Sequence, residues 1–343
     1  MRNAGKQTCA FRPFMGASLM ILIVDHREIT VSYENNTLCV RREGGKLQRI
    51  PVALLEQVIV YGSPTIEMPV WRALSTAAVP TTLLSQRGSQ EPAIMAAGLA
   101  VRLPLRRLQF RCAEHTGCAV AVARWFLQQK FAAYDLPLSH FNAEQRQPFK
   151  QQRAELLDKL NQADSIAKLM GYEGVLAAAW FALLAHGLPD KWRFNGRNRR
   201  PPQDPFNALL SLGYTLLMAD IRQVLVCEGL DPAFGFLHQP VAGREALVLD
   251  FAEIFRAAVD FSLYAFLGCL NPKDFSYSQA HGCRLTKDAR PTFYNFWAEF
   301  REQCPRLSAD DEGDITFSSL AEQIRGKVAG FRGILNNQEQ DNG

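Results

Sequence analysis

Three acids and one histidine stand where the surrounding sequence is too apolar for freely solvated charge. Glu173 lies in Leu169-Met170-Gly171-Tyr172-Glu173-Gly174, at the expected start of the apolar, Ala-rich helix Val175 to Phe181. His238 ends Gly235-Phe236-Leu237-His238, and Asp250 and Glu253 fall within Leu247-Val248-Leu249-Asp250-Phe251-Ala252-Glu253-Ile254-Phe255-Arg256. A carboxylate among apolar neighbours is costly to bury unless a partner or ligand offsets it. Two carboxylates three residues apart share a helical face and repel unless a proton, an arginine or a cation stands between them. Glu173, His238 and Glu253 supply two hard oxygen donors and one imidazole, with Asp250 as a nearby fourth group. That mixture suits Mg²⁺ or Mn²⁺ better than structural zinc, which usually recruits cysteines. An ion so held can polarise a phosphoryl oxygen and help orient an attacking one. Each residue also has a plainer reading. Glu173 is then a helix-start carboxylate on the backbone dipole, His238 a hydrogen-bonded core or surface residue, and Asp250, Glu253, Arg256 and Asp260 a weak salt-bridge ladder.

The basic residues point to the same class of substrate. Lys191, Arg193, Arg197, Arg199 and Arg200 are opposed nearby only by Asp190, and Arg102, Arg106, Arg107, Arg111, Arg124 and Lys130 only by Glu114. Against the ordinary reading of a solvated face, two acid-poor clusters in a chain of net charge +4 suggest a polyanion track dominated by phosphate contacts. No phosphate-loop, dinucleotide-binding, nucleophile-elbow or HExxH pattern occurs, which removes sequence support for ATP-driven, Rossmann-type, serine-hydrolase and zincin chemistry. The 8 cysteines never stand in CxxC spacing and read as scattered, mostly buried thiols of a reducing, cytoplasmic compartment.

The elements that must position these groups differ along the chain. A length of 343 residues and 48% hydrophobic content fit about two globular domains, with neither wholesale disorder nor a polytopic membrane protein. The apolar run Phe14 to Val24 follows Arg2, Lys6 and Arg12 but lacks a small-residue cleavage site. At about 11 residues it is too short to span a bilayer, so residues 1–19 read as an extension. From 20 to 98, short β-branched runs separated by Asn35-Asn36 and Gly44-Gly45 predict a small N-terminal β domain of hairpins with one helix over Pro69–Ala78. From 99 to 334 the periodicity is helical, over His115–Tyr134, Arg153–Leu169 and Phe206–Cys227, the last preceded by Asp204-Pro205 and followed by Gly229. The fold class expected is two-domain α+β, a small β-rich domain followed by a larger all-α catalytic domain, and residues 335–343 are read as a disordered, Asn/Gln-rich tail.

The stretch Phe194-Asn195-Gly196-Arg197-Asn198-Arg199-Arg200-Pro201-Pro202-Gln203-Asp204-Pro205-Phe206-Asn207, continuing through Ser211 and Tyr214 to Leu217, resembles the CRISPR adaptation integrases, the Cas-one endonuclease family. So do Gly229-Leu230-Asp231-Pro232, Gly235 to His238, Leu249 to Arg256 and Gly171 to Gly174; agreement is weaker over Met20–Gly88 and Phe275–Thr286, and in all covers about residues 20 to 330. The resemblance implies a homodimer assembled through the β domains, a small Cas-two partner, and DNA as substrate, both captured fragment and CRISPR repeat. It implies metal-dependent attack of a fragment 3′-hydroxyl on a repeat-end phosphodiester, alongside nuclease activity. By the same resemblance Glu173, His238 and Glu253 match metal ligands and Asp250 the nearby catalytic acid. Arg256 falls at a basic position of that helix, Asn207, Ser211 and Tyr214 lie on the signature helix facing the site, and Arg197, Arg199 and Arg200 would hold DNA phosphates. The competing expectations are a DNA-binding scaffold in which the acids merely brace helices, and a metal-dependent RNase.

Overall fold

β-Branched residues and tight turns organise the first hundred residues into two sheets. The computed structural model describes residues 20–24, 28–42, 44–77, 79–84, 93–95, 102–138, 140–198, 201–279, 282–307 and 314–341, and the chain divides between Val101 and Arg102. In chain order the first unit comprises β1 (Met20–Val24), β2 (Ile29–Glu34), β3 (Thr37–Arg42), β4 (Gln48–Pro51), β5 (Leu55–Tyr61), β6 (Thr65–Ile66), α1 (Met68–Thr76), β7 (Thr81–Leu84) and β8 (Ala93–Met95). Strands β2, β3 and β4 form the expected antiparallel hairpins, with β6 added in parallel on β2. Asn35 and Asn36 turn the first hairpin at φ 48° and 59°, the left-handed region that Asn tolerates and that matches strand twist. The second sheet, in the order β1-β5-β7-β8, is parallel from β1 to β7. An all-hairpin reading is corrected there, because α1 supplies the crossover that a parallel pair requires. Val24, Val31, Leu38, Val58, Val70 and Leu74 anchor the core of this unit.

The second unit is mostly helical. Its helices are α2 (Leu103–Glu114), α3 (Thr116–Ala133), α4 (Asp135–Leu138), α5 (Ala143–Asn161), α6 (Ile166–Gly187), α7 (Pro205–Cys227) and α8 (Ala246–Phe266). After them come β9 (Phe275–Ser278), β10 (Gly282–Leu285), α9 (Arg290–Glu302), β11 (Cys304–Leu307), β12 (Ile315–Ser318) and α10 (Leu320–Asp341). The antiparallel pairs β9-β10 and β11-β12 are small β additions to the all-helical expectation. The single helix expected over Arg153–Leu169 is two: α5 ends at Asn161, and Ser165 caps α6 by accepting from the Lys168 N–H. Helix α7 begins as its residues dictate. Asp204 accepts from the Asn207 N–H at 2.8 Å, Pro205 takes the first position, and Gly229 follows the end at φ 78°.

Helix α8 runs through the centre. Phe251 packs edge-on against Phe126 of α3 at 5.0 Å and Phe331 of α10 at 5.6 Å between ring centroids. Gly213 lets α7 lie close to α8, since a Cβ there would meet Leu263 Cδ1 at 3.1 Å and Val259 Cγ1 at 3.2 Å. Ile324, Val328, Phe331 and Leu335, spaced four, three and four apart, bury one face of α10 in this core. The tail reading of 335–343 is therefore corrected for residues 335–341, which are helical; Asn336 and Asn337 are exposed on the far side of that helix, and 342–343 lie outside the described residues. The thiol reading is corrected for one pair: Cys112 and Cys118 form a disulfide between the end of α2 and the start of α3, with Cα atoms 5.2 Å apart. Cys9 and the extension of residues 1–19 lie outside the described residues. Helices α6 and α7 are long and apolar enough to cross a membrane, and α7 has half of its apolar window buried within the protein.

Candidate active site

Asp250, Glu253, Arg256 and Asp260 line α8, but they do not form one surface ladder. Asp250 is fully buried and anchors the loop before the helix. Its Oδ2 accepts from the N–H groups of Phe236 at 2.6 Å and Leu237 at 3.1 Å, and its Oδ1 from that of His238 at 2.9 Å. The same Oδ1 lies 2.8 Å from His238 Nδ1, which orients the ring and leaves Nε2 as the nitrogen for a ligand. Burial pushes the Asp250 carboxyl pKa up, against the pull of His238 and the backbone donors. The loop can come this close because of Gly235. A Cβ there would stand 2.6 Å from the Ala246 carbonyl carbon and 2.8 Å from its oxygen, both backbone atoms.

Glu173 of α6 and Glu253 of α8 converge on the ammonium of Lys130 from α3. Lys130 Nζ donates to Glu253 Oε2 at 2.5 Å and to Glu173 Oε1, while Arg256 pairs with Glu253 Oε1 at 2.7 Å. The Lys130 and Glu253 side chains are 3% exposed, whereas Glu173 keeps 20% and His238 21%, so the centre opens to solvent along those two. Burial would raise Glu253, but Arg256 and Lys130 outweigh it and hold the carboxyl at about 2. Burial would likewise lower the Lys130 ammonium, and Glu253, Tyr134 and Glu173 raise it instead. Glu173 is not at a helix start as expected. Helix α6 begins at Ile166, so Glu173 lies two turns inside and the helix dipole does not account for it.

Further along α8, Asp260 accepts from Tyr214 Oη at 2.5 Å and from Trp180 Nε1 at 2.8 Å. Burial pushes this carboxyl up to about 6, and the Tyr214 hydroxyl also well above its ordinary value. The Arg256 and Arg197 guanidiniums lie 5.0 and 5.5 Å from the Tyr214 ring centre. Arg256 Nε is buried without a hydrogen-bond partner among the described residues.

The first turn of α7 latches the loop that precedes it. Asn207 Oδ1 accepts from Arg197 Nη1 at 2.8 Å and from the Asn198 N–H at 3.0 Å, and its Nδ2 donates to the Gly196 carbonyl at 2.9 Å. Ser211 Oγ accepts from Arg197 Nη2 at 3.1 Å. Arg199 and Arg200 lie outside the described residues. Within the other basic cluster three members have partners of their own. Lys130 is buried, Arg124 donates to the Leu160 and Ala163 carbonyls at 3.1 and 2.6 Å, and Arg102 pairs with Glu228.

Sequence reasoning missed the part played by Lys130, by Asp260 as an acceptor, and by Trp180. For Lys130 the signal was present: it falls on the stripe Ala123, Phe126, Leu127, Tyr134, every member of which is buried. Among the described residues no group of three or more His, Cys, Asp or Glu is close enough to hold a metal ion. The donors nevertheless suit a hard divalent cation. Two carboxylates already share one cation, and Asp250 holds His238 through Nδ1, leaving Nε2 as the nitrogen for a ligand.

The model of the family described as CRISPR associated protein Cas1 matches residues 22–299. The CRISPR-associated endonuclease Cas1 3 of Thermus thermophilus is 31% identical over 289 residues, 82% of this chain and 85% of that protein. In fold, the chain resembles a casposase bound to integration product, with a TM-score of 0.70 and 21% identity over 93% of this chain and 91% of that one. It also resembles a chain of a partial Cas6-RT-Cas1–Cas2 complex, with a TM-score of 0.67 and 22% identity over 93% and 96%. With two acids from separate helices meeting on one buried lysine, a histidine oriented by a buried aspartate, and a family match that spans both units, the chain belongs to the Cas1 family of CRISPR-associated endonucleases.

Proposed function

We propose that this protein is a divalent-metal-dependent DNA integrase of CRISPR adaptation, which joins the 3′-hydroxyl ends of captured fragments to the CRISPR repeat. The observation that carries this reading is the convergence of Glu173 and Glu253, from separate helices, on one buried cation position, the Lys130 ammonium. Glu173, Glu253 and His238 would hold Mg²⁺ or Mn²⁺, which when bound polarises the phosphoryl oxygen and lowers the cost of ionising the attacking hydroxyl. Asp250 keeps the imidazole in one orientation through Nδ1 and ties the whole 236–238 segment to α8. Arg256, fixed on Glu253 and near the Tyr214 ring, supplies positive charge where a pentavalent phosphorus accumulates negative charge. Tyr214 serves through Asp260 and Arg256, as a brace. In the reaction the fragment 3′-oxygen forms a bond to the repeat phosphorus, loses its proton to solvent, and the repeat 3′-oxygen departs and is protonated.

The supporting likenesses are to a casposase solved with its integration product and to a Cas1 chain solved with Cas2. They fit a homodimer that works in the cytoplasm with a small Cas2 partner, holding DNA phosphates in part through Arg197, Arg199 and Arg200, with Asn207 and Ser211 setting Arg197. The test is strand transfer of a 3′-hydroxyl fragment into a repeat duplex, with Cas2 and Mn²⁺, comparing wild type with Glu173→Gln and His238→Ala. Joined product from wild type alone, lost with chelator, supports the reading. Equal joining by both variants sinks the site assignment.

A further inference from the structure

The centre carries its own cation. Glu173 and Glu253 bring two negative charges into a region where Lys130 and Glu253 are 3% exposed, and Lys130 and Arg256 bring two positive charges to meet them. The four groups are balanced as they stand. Arg256 engages Glu253 Oε1 and leaves the acids apart, whereas Lys130 Nζ bridges Glu253 Oε2 and Glu173 Oε1, the one pair of oxygens drawn from both helices. A dication placed between the same two carboxylates would meet that ammonium at close range, and like charges in a dry site repel strongly. Lysine, a point charge on a flexible stem of four carbons, can withdraw where an arginine fork held bidentately would not.

We propose that Lys130 is a tethered competitor of the divalent ion, holding the Glu173 and Glu253 oxygens that the metal needs and yielding them when it binds. The proposal rests on the metal-dependent reading above and adds a residue to it. Lys130 keeps the two carboxylates assembled at the junction of three helices without requiring metal, and in exchange it weakens metal binding by the population that must first let go. It acts through the carboxylates and is a positioning residue.

The test is Mn²⁺ binding to the full-length protein, read by the electron paramagnetic resonance of free Mn²⁺, with thermal unfolding followed in parallel. Lys130→Met is expected to bind Mn²⁺ at least about tenfold more tightly than wild type, because the competitor is gone. It should also melt lower without metal and gain more from Mn²⁺ than wild type does. Lys130→Gln, which keeps a donor without the charge, carries the same expectation should the methionine variant fail to fold. Lys130→Arg retains the charge and should show no tightening. A purely structural lysine would give lower melting with Mn²⁺ affinity unchanged or weaker in both neutral variants, and that result overturns the proposal. Glu173→Gln separates the two ideas. If wild type binds Mn²⁺ and Glu173→Gln does not, the metal reading stands whatever Lys130 does. If wild type binds no Mn²⁺, or Glu173→Gln binds as well as wild type, the metal reading and the competitor fall together.

Discussion

Asp250 and Asp260 are both fully buried on α8, yet conversion to asparagine should affect them in opposite ways. Both oxygens of Asp250 accept from backbone N–H groups, so either orientation of an amide turns an NH₂ toward a donor. Asp250→Asn should cost about 2–3 kcal/mol by urea unfolding, the cost of buried donors left without an acceptor, and should release His238. Asp260 receives one donor that cannot reverse, Trp180 Nε1, and one that can, the Tyr214 hydroxyl. An amide there can accept from the indole and donate to the phenol oxygen. The Asp260 pKa rises from the usual 3.8 to about 6 in the folded protein, chiefly through burial. The folded state therefore holds this proton after the unfolded chain has released it, and its contribution, full below the unfolded value, is lost as pH rises through about 6. Asp260→Asn removes that loss. Its stability relative to wild type should grow between pH 4 and 7 by on the order of 2 kcal/mol, since each tenfold change in proton affinity is worth roughly 1.4 kcal/mol. A difference independent of pH in that window would mean that Asp260 does not titrate there.

At the scale of elements, Gly235 is the piece on which the geometry of His238 depends. The atoms that an alanine methyl would meet are backbone atoms of Ala246 and its Cβ at 2.7 Å, none of which can swing aside. Gly235→Ala should therefore push the 236–238 segment off Asp250 and reduce strand joining by at least about tenfold, the penalty of a misplaced ligand, while Glu173 and Glu253 remain in place. Normal activity in that variant would show that the loop tolerates displacement. Much of this geometry was legible in the sequence. Asp204, Pro205 and Gly229 mark both ends of α7, because caps are local chemistry. The acids of α8 stood out because their neighbours are apolar. What was not legible depends on contacts between residues far apart in the chain. Lys130 meets Glu173 and Glu253 across separations of 43 and 123 residues; its place on the buried stripe of its helix marks it as inward-facing, but not which acids it meets. The parallel sheet escaped for the same reason, since β1 finds β5 only after two intervening hairpins are made.

For the whole molecule, the two units have separate cores. Every buried apolar residue of one core precedes the division at Val101, and every one of the other follows it. Cooperativity comes from shared buried contacts, so each unit is expected to unfold as its own transition. The tryptophans report the two separately: Trp71 packs against the first core, while Trp125, Trp180, Trp192 and Trp297 belong to the second. Phe251 is fully buried between Phe126 and Phe331, and Phe251→Ala should cost the helical unit about 3–5 kcal/mol. For a unit of this size that lowers its midpoint by about 10 °C. With fluorinated tryptophan followed by NMR during heating, the four resonances of the helical unit should shift to the lower midpoint while that of Trp71 stays at its wild-type temperature. Leu74→Ala, at a position 1% exposed in the first core, should produce the reverse. A common shift of all five resonances in either variant would show that the units melt together, and the independence inferred from their separate cores would be wrong.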